Sequence, residues 1–242
     1  RERRDREAAR HDCDDATTDA RPDDIKRLLQ FAFRTRNALT LPVSAPGSAG
    51  MECCFVNLVS PGDEVIVAQN GVFGGRMKEN VERCGAAAVM VQDEWGTAVD
   101  PQKVEDAIRA HPGAKVLAFV HAETSTGARS DAATLCALAR QHGLLTIVDT
   151  VTGRVCLDLN VDGWGADAVY SGTQKCLSCI PGLSPVTFSS RAQEVIQKRQ
   201  HKVQSWFLDM GLVMAYWGGS PAASPPEGSS GRRGHAGPLR GP

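Results

Sequence analysis

Hydrophobic residues along this chain recur in two alternating rhythms. In "DDIKRLLQFAFRTRN" (23–37) apolar positions fall three and four apart, the spacing of one helical face. "ALTLPV" (38–43) then runs extended, and "SAPGSAG" (44–50) turns into a small-residue helix, "MECCFVNL" (51–58). The turn "SPGD" precedes a strand, "EVIVAQ" (64–69), and a helical "GRMKENVERCG" (75–85). A strand "AAVMV" (87–91) leads to helix "PQKVEDAIRAH" (101–111), whose Pro101 suits a first helical turn. Strand "KVLAFVH" (115–121), helix "DAATLCALARQHG" (131–143), which ends at Gly143 with His142 as its C-terminal cap, and strand "LLTIVD" (144–149) follow. "DAVYS" (167–171) and "PVTFS" (185–189) are predicted strands, and "RAQEVIQKRQHKV" (191–203) a helix with a solvated face. Short strands alternating with longer helices point to βαβ units. Several strands are apolar almost throughout, as expected of a parallel sheet covered on both faces. The fold class is therefore α/β, with a mostly parallel or mixed central sheet flanked by helices and no visible internal repeat.

Composition changes this picture at the ends. Residues 1–24 contain no Ile, Leu, Val, Met or Phe, and 15 of the 24 are Arg, Asp or Glu. Such a segment cannot bury enough apolar area to offset its ordering entropy, so it reads as disordered or as an out-of-frame segment. Residues 218–242 hold 7 Gly and 5 Pro with one Leu, a Gly/Pro-rich low-complexity tail. The folding span is thus 25–217. A net charge of −1 provides no basic field to attract nucleic acid or an anionic membrane. No apolar run approaches the roughly 20 residues that span a bilayer. The arginines of "RERRDREAAR" have no hydrophobic segment behind them, unlike a secretory signal. The eight cysteines are scattered, which suits reduced thiols in a cytoplasmic protein better than a disulfide framework. Cys176 and Cys179 form one C-x-x-C beside Lys175, close enough to the lysine to be oxidation-sensitive. With no second C-x-x-C or histidine pair they make half a ligand set, which argues against a metal site.

Ligands of such sheets bind beyond the carboxyl ends of the strands. "LLTIVDT" ends in Asp149, "KVLAFVHAETSTG" in a hydroxyl-rich turn, and "DAVYSGTQKCLSC" in Lys175 with no carboxylate beside it. "LPVSAPGSAGMECC" sets Pro46-Gly47-Ser48-Ala49-Gly50 at a helix start, where free N–H groups suit a phosphate. Neither G-x-G-x-x-G nor the P-loop pattern is present, which counts against an NAD-binding oxidoreductase. Pyridoxal phosphate needs a lysine for its aldehyde, a carboxylate for its ring nitrogen, a phosphate cradle and a flat partner for its ring. The chain offers these in the order cradle, Phe73 between glycines, hydroxyl turn, Asp149 and Lys175.

That order, carried by "GSAGMEC", "NLVSPGDEVIV", "NGVFGGR", "HAETSTGA", "TIVDTVT" and "YSGTQKCLSCIPGLSPVTFS", resembles the class V, fold-type I aminotransferases. The likeness is greatest to their alanine–glyoxylate and serine–pyruvate (serine–glyoxylate) branch and covers about residues 24–217. It implies the large domain of a fold-type I transferase, a pyridoxal 5'-phosphate cofactor, small amino acid and 2-oxo acid substrates such as alanine or serine with glyoxylate or pyruvate, and a homodimer. By this resemblance Lys175 joins the cofactor's aldehyde and later moves a proton, helped by burial, which can lower a lysine pKa. Asp149 keeps the pyridine nitrogen protonated. Phe73 stacks on one ring face and Val151 packs on the other. Gly47, Ser48 and Ala49 donate to the phosphate, with Gln174 reaching it from the lysine loop, and Thr124 meets the phenolic oxygen or the substrate. Trp164, Trp206 and Trp217 read as packing or interface residues.

The chain departs from that family where its small C-terminal domain, with the arginine that clamps the substrate carboxylate, is expected. After "VDTVT" the sequence "GRVCLDLNVDGWG" is also shorter than the family turn. Transamination impaired by truncation is therefore the first expectation. A catalytically inert fragment and a related enzyme such as a 2-aminoethylphosphonate transaminase are the alternatives.

Overall fold

Period-two alternation along the apolar strands sends side chains into two cores, one on each face of a single sheet. The computed structural model describes residues 22–152 and 159–217. Most of the charged run at 1–24, part of the shortened stretch after "VDTVT", and the Gly/Pro-rich tail lie outside the described residues. In chain order the elements are α1 (Pro22–Phe33), β1 (Leu39–Val43), α2 (Gly47–Leu58), β2 (Glu64–Gln69), α3 (Val72–Arg83) and β3 (Ala87–Gln92). These are followed by α4 (Pro101–Ala110), β4 (Val116–Val120), α5 (Ala132–Gln141), β5 (Leu145–Asp149), α6 (Val161–Trp164) and β6 (Ala168–Tyr170). The last three are β7 (Ser184–Phe188), α7 (Ser190–Gln197) and α8 (Met210–Trp217). The seven strands pair in the order β1-β7-β6-β5-β4-β2-β3. β7 is antiparallel to both its neighbours, and the remaining pairs are parallel.

On one face Val65, Val67, Val116, Ala118, Val120, Leu145, Ile147, Ala168 and Tyr170 pack with α2, α3, α7 and α8. On the other, Ile66, Ala68, Leu117, Phe119, Val148 and Val169 pack with α4, α5 and Phe33 of α1. Two-sided burial explains why these strands carry almost no polar positions. Asp149 comes two residues after Ile147, so it shares the α2 face, and the parallel register sets it opposite Tyr170.

Local chemistry fixes the helix ends. Asp100 and Asp131 accept hydrogen bonds from Gln102 N and Thr134 N, and the Ser189 hydroxyl accepts from Ala192 N, each satisfying a free donor of a first turn. His142 is the C-cap of α5, and Gly143 after it adopts φ +80°, a left-handed conformation that glycine takes readily.

Several boundaries differ from the sequence reading. α1 stops at Phe33 rather than Asn37, with Arg34 at φ +50°. α7 stops at Gln197, six residues early, because Ile196 is its last buried apolar residue and Arg199 turns back to donate to Asn57 O at 3.3 Å. α3 begins at Val72, so Phe73 lies in a helical turn, not in a glycine loop. α6 and α8 were not foreseen. Trp164 meets His121 edge-on with ring centroids 4.8 Å apart, and Trp217 Nε1 donates to Thr40 O, whereas Trp206 is 82% exposed and so is no core packing residue. Among the described residues no helix is long and apolar enough to cross a membrane, and no cluster of His, Cys, Asp and Glu could hold a metal ion.

Candidate active site

At the carboxyl ends of β5 and β6 a cleft of about 190 Å³ opens beside the N-terminus of α2. Its walls include Gly47, Ser48, Phe73, Thr124, Asp149, Val151, Gln174 and Lys175, together with Pro46, Met51, Arg76 and Tyr170. Eight of the nine residues expected from sequence therefore meet in one place.

Asp149 forms the floor and is 2% exposed. Its Oδ1 accepts from Val151 N at 2.8 Å and its Oδ2 from the Tyr170 hydroxyl at 2.7 Å. Burial pushes the carboxyl up to about 6; the Val151 and Tyr170 donors oppose this, and the Glu123 carboxylate adds to it. A cation against the free face of this acid would favour its ionised form. Burial, with Asp149 close by, also raises the Tyr170 phenol well above its usual range, so the hydroxyl remains a donor.

Lys175 sits at the rim, on a loop whose hydroxyls tie it to the sheet. Ser171 Oγ donates to Thr150 O at 3.1 Å, Ser184 Oγ to Ser171 O at 2.7 Å, and Thr173 Oγ1 to Ile180 O at 2.8 Å. The small polar residues around the lysine thus have a structural purpose. Lys175 itself is exposed, as is Gln174, contrary to the expectation of burial. No hydrogen bond or ion pair holds its Nζ among the described residues.

The remaining wall is built for close approach. The N–H groups of Gly47 and Ser48, in the first turn of α2, have no intrahelical acceptor. Ala49 is not among the residues lining the cleft, and its N–H donates to Pro46 O at 2.8 Å. A Cβ on Gly47 would reach to 3.2 Å from Val151 Cγ2, and one on Gly172 to 3.2 Å from Gln174 Oε1. Side chains at either place would narrow the gap where the α2 N-terminus meets the lysine loop.

Phe73 is positioned from afar. Glu123, 1% exposed, accepts from Phe73 N at 3.1 Å and from the Ser125 hydroxyl at 2.7 Å, while Ser125 Oγ accepts from Val72 N at 3.0 Å. A carboxylate at this helix start complements its dipole. A Cβ on Gly71 would come within 2.3 Å of Glu123 Cγ, so only glycine fits beside the acid. The Arg76 guanidinium lies 4.6 Å from the Phe73 ring centroid, over one ring face. Thr124 is hydrogen-bonded to Thr152 across the mouth. Sequence reasoning missed Tyr170, Arg76 and Met51, and named Pro46 only as part of the helix start. Only Arg76 left a signal, one helical turn beyond Phe73.

These residues fit pyridoxal phosphate: an unpaired amine at the rim, a buried acid that gains from a cationic ring nitrogen, a helix N-terminus for a phosphate, and the apolar side chains of Val151 and Phe73 on the walls. The family described as Aminotransferase class-V matches residues 37–203. Among curated relatives, alanine–glyoxylate aminotransferase of Oryctolagus cuniculus is 37% identical over 197 residues, covering 81% of this chain and 50% of that protein. (S)-Ureidoglycine–glyoxylate transaminase of Bacillus subtilis is 34% identical, with 81% and 47% covered. The solved alanine–glyoxylate aminotransferase of Nostoc sp. superposes with a TM-score of 0.77 at 42% identity, covering 81% of this chain and 52% of that one. The chain spans about half the length of the curated relatives it matches.

Proposed function

Because the chain belongs to the class-V aminotransferases, we propose that it binds pyridoxal phosphate and moves an amino group between a small amino acid, alanine or serine, and glyoxylate or pyruvate. The observation that carries this reading is the meeting of the Lys175 amine and the buried Asp149 carboxylate in one cleft at the strand ends. When bound, the cofactor supplies a protonated pyridine ring that draws off the negative charge left as a proton leaves the substrate Cα.

The chain's own residues divide the remaining work. Lys175 Nζ would hold the cofactor's aldehyde, with loss of water, and, once displaced by the substrate's amino group, would be the free amine that takes up and returns the Cα proton. Asp149, held by Val151 N and the Tyr170 hydroxyl, keeps the proton on the ring nitrogen. Gly47 N, Ser48 N and Gln174 bind the phosphate. Phe73 and Val151 would pack against the ring, and Thr124 would orient the phenolic oxygen or the incoming substrate. The names of the relatives, which pair glyoxylate with alanine or ureidoglycine, support a small 2-oxo acid as acceptor. Working as a homodimer in a reducing cytoplasm belongs to the same proposal. Large exposed apolar side chains such as Phe31 and Ile180 support the first, and six described cysteines without a disulfide support the second. Neither nucleic acid nor membrane has a part in it.

The test is covalent trapping. Protein mixed with pyridoxal phosphate should gain an absorption band at the edge of the visible range. Borohydride reduction should then leave one phosphopyridoxyl group on Lys175, located by peptide mass spectrometry, and K175A should lose both signals. Label scattered over surface lysines, or no band, selects the competing reading of an inert scaffold, which the exposure of Lys175 and Gln174 favours.

A further inference from the structure

Of the eight cysteines, six lie among the described residues, and they divide sharply. Cys53, Cys54, Cys84 and Cys136 are at most 2% exposed. Burial pushes Cys53 and Cys136 up to about 12 and Cys84 up to about 11, and raises Cys54 as well. As protonated, enclosed thiols these four are inert to exchange. Cys179 is exposed and Cys176 half-buried, and both lie on the loop that presents Lys175. The only solvent-accessible thiols among the described residues thus stand next to the proposed reactive amine, with Leu177 and Ser178 between them.

The backbone couples the pair to the lysine. Ser178 donates its N–H to Lys175 O at 3.0 Å while adopting φ +54°, an uncommon conformation for a residue other than glycine. Cys179 N donates to Thr173 O at 2.9 Å, and its thiol to Leu177 O at 3.2 Å. A bond between the two sulfurs would withdraw the Cys179 thiol from Leu177 and reset the backbone around Ser178. The hydrogen bond that holds the Lys175 carbonyl lies inside that same turn.

We propose that Cys176 and Cys179 form a thiol-modification site, closed by a small-molecule disulfide such as oxidised glutathione, and that closure moves Lys175 away from its receptive position. The Cys179 thiolate, the more exposed, attacks one sulfur of the disulfide; a sulfur–sulfur bond forms and one small thiolate leaves. The Cys176 thiolate then attacks the Cys179 sulfur of that mixed disulfide, releasing the second thiolate. Two cysteine thiols are oxidised by two electrons, one disulfide is reduced to two thiols, and the protons lost from the cysteines go to the released thiolates. Closure rests on the dithiol alone. Its effect on cofactor capture rests on the proposed role of Lys175.

The protein is equilibrated with oxidised and reduced glutathione, quenched by acid alkylation, and mapped by peptide mass spectrometry. Three readings follow: the state of each cysteine, the acylation rate of Lys175 by an amine-reactive ester, and the capture of pyridoxal phosphate. The expected result is a Cys176–Cys179 disulfide with the four buried thiols untouched. Lys175 acylation should change severalfold on oxidation, and the rate of capture should fall by up to about a hundredfold, the scale of a roughly 1 Å misplacement. Dithiothreitol should reverse both. The C176S/C179S variant should show neither change while keeping reduced wild-type capture. A stable glutathione adduct on Cys179 without closure overturns the proposal, and so does closure with unchanged Lys175 acylation. Reduced protein that captures no cofactor defeats the aminotransferase reading instead, while the mapping and acylation arms still judge this one.

Discussion

Under the proposed function, Asp149 is a single side chain costly to the empty protein and useful to the loaded one. Its carboxyl rises from an ordinary 3.8 to about 6 because burial penalises the charged form. Between those values the folded chain holds a proton that the unfolded chain has released. Stability from this group is therefore full below the lower value, falls as pH rises through the window, and is level above it. The whole effect amounts to at most about 3 kcal/mol. Asp149→Asn removes the titration and preserves the contacts, since the amide oxygen can accept from Val151 N and the amide N–H can donate to the Tyr170 oxygen. Cofactor-free D149N should lie close to wild type in denaturant midpoint at pH 4, near the lower end of the window, and exceed it at pH 8, by up to about 3 kcal/mol. It should also lose most of its affinity for pyridoxal phosphate. A variant less stable than wild type at pH 8 would show that the carboxylate is already compensated without a ligand.

At the scale of elements, Asp167 joins β5 and β6, whose ends carry the site, to α7. Its carboxylate accepts from Thr146 N of β5 at 3.1 Å, from the Ser189 hydroxyl at 2.8 Å and from Arg191 Nη1 of α7 at 3.2 Å, just before β6 begins. Removing one partner of a buried charge pair strands the other and its donors, at about 3–5 kcal/mol. Asp167→Ala should lower the unfolding free energy by about 3 kcal/mol in urea titrations, the low end because Arg191 is partly solvated. A loss below about 1 kcal/mol would mean that water replaces the carboxylate. Such elements were legible in the sequence to unequal degrees. The strands stood out because they are apolar on both faces and bounded by turns, and α4 announced itself through Asp100-Pro101. α8, "MGLVMAYW", is apolar all round and so has no face to reveal, and α6 is a single turn. α3 starts in "GVFGGR", poor helix-forming sequence, because Glu123 and Ser125 cap it from fifty residues away. Asp149 and Lys175 were legible as odd polar residues at strand ends. Tyr170 was not, because its contact with Asp149 depends on a cross-strand register that no local pattern records.

For the whole molecule, the cleft gathers wall residues from 46 near the start of α2 to 175 on the lysine loop, by way of 73, 124 and 149, so its walls come from much of the folded span. A ligand that touches all of these binds the folded chain and not the unfolded one, and stabilises the fold as a unit. At a free concentration a hundredfold above the dissociation constant the gain is about 2.7 kcal/mol. For a chain with about two hundred folded residues each kcal/mol raises the melting temperature by about 2–4 °C, so saturating pyridoxal phosphate should raise it by about 5–10 °C. The separate contacts predict a graded pattern across ligands and variants. Pyridoxal, which lacks the phosphate, should lose the contribution of the Gly47 and Ser48 N–H groups and shift wild type less. Pyridoxine phosphate, which has no aldehyde, should shift wild type and K175A equally, because it uses the cradle and Asp149 but not the amine. Scanning calorimetry on wild type and K175A with the three ligands would separate these contributions. Equal shifts with pyridoxal and pyridoxal phosphate would remove the helix N-terminus from the binding site, whatever the lysine does.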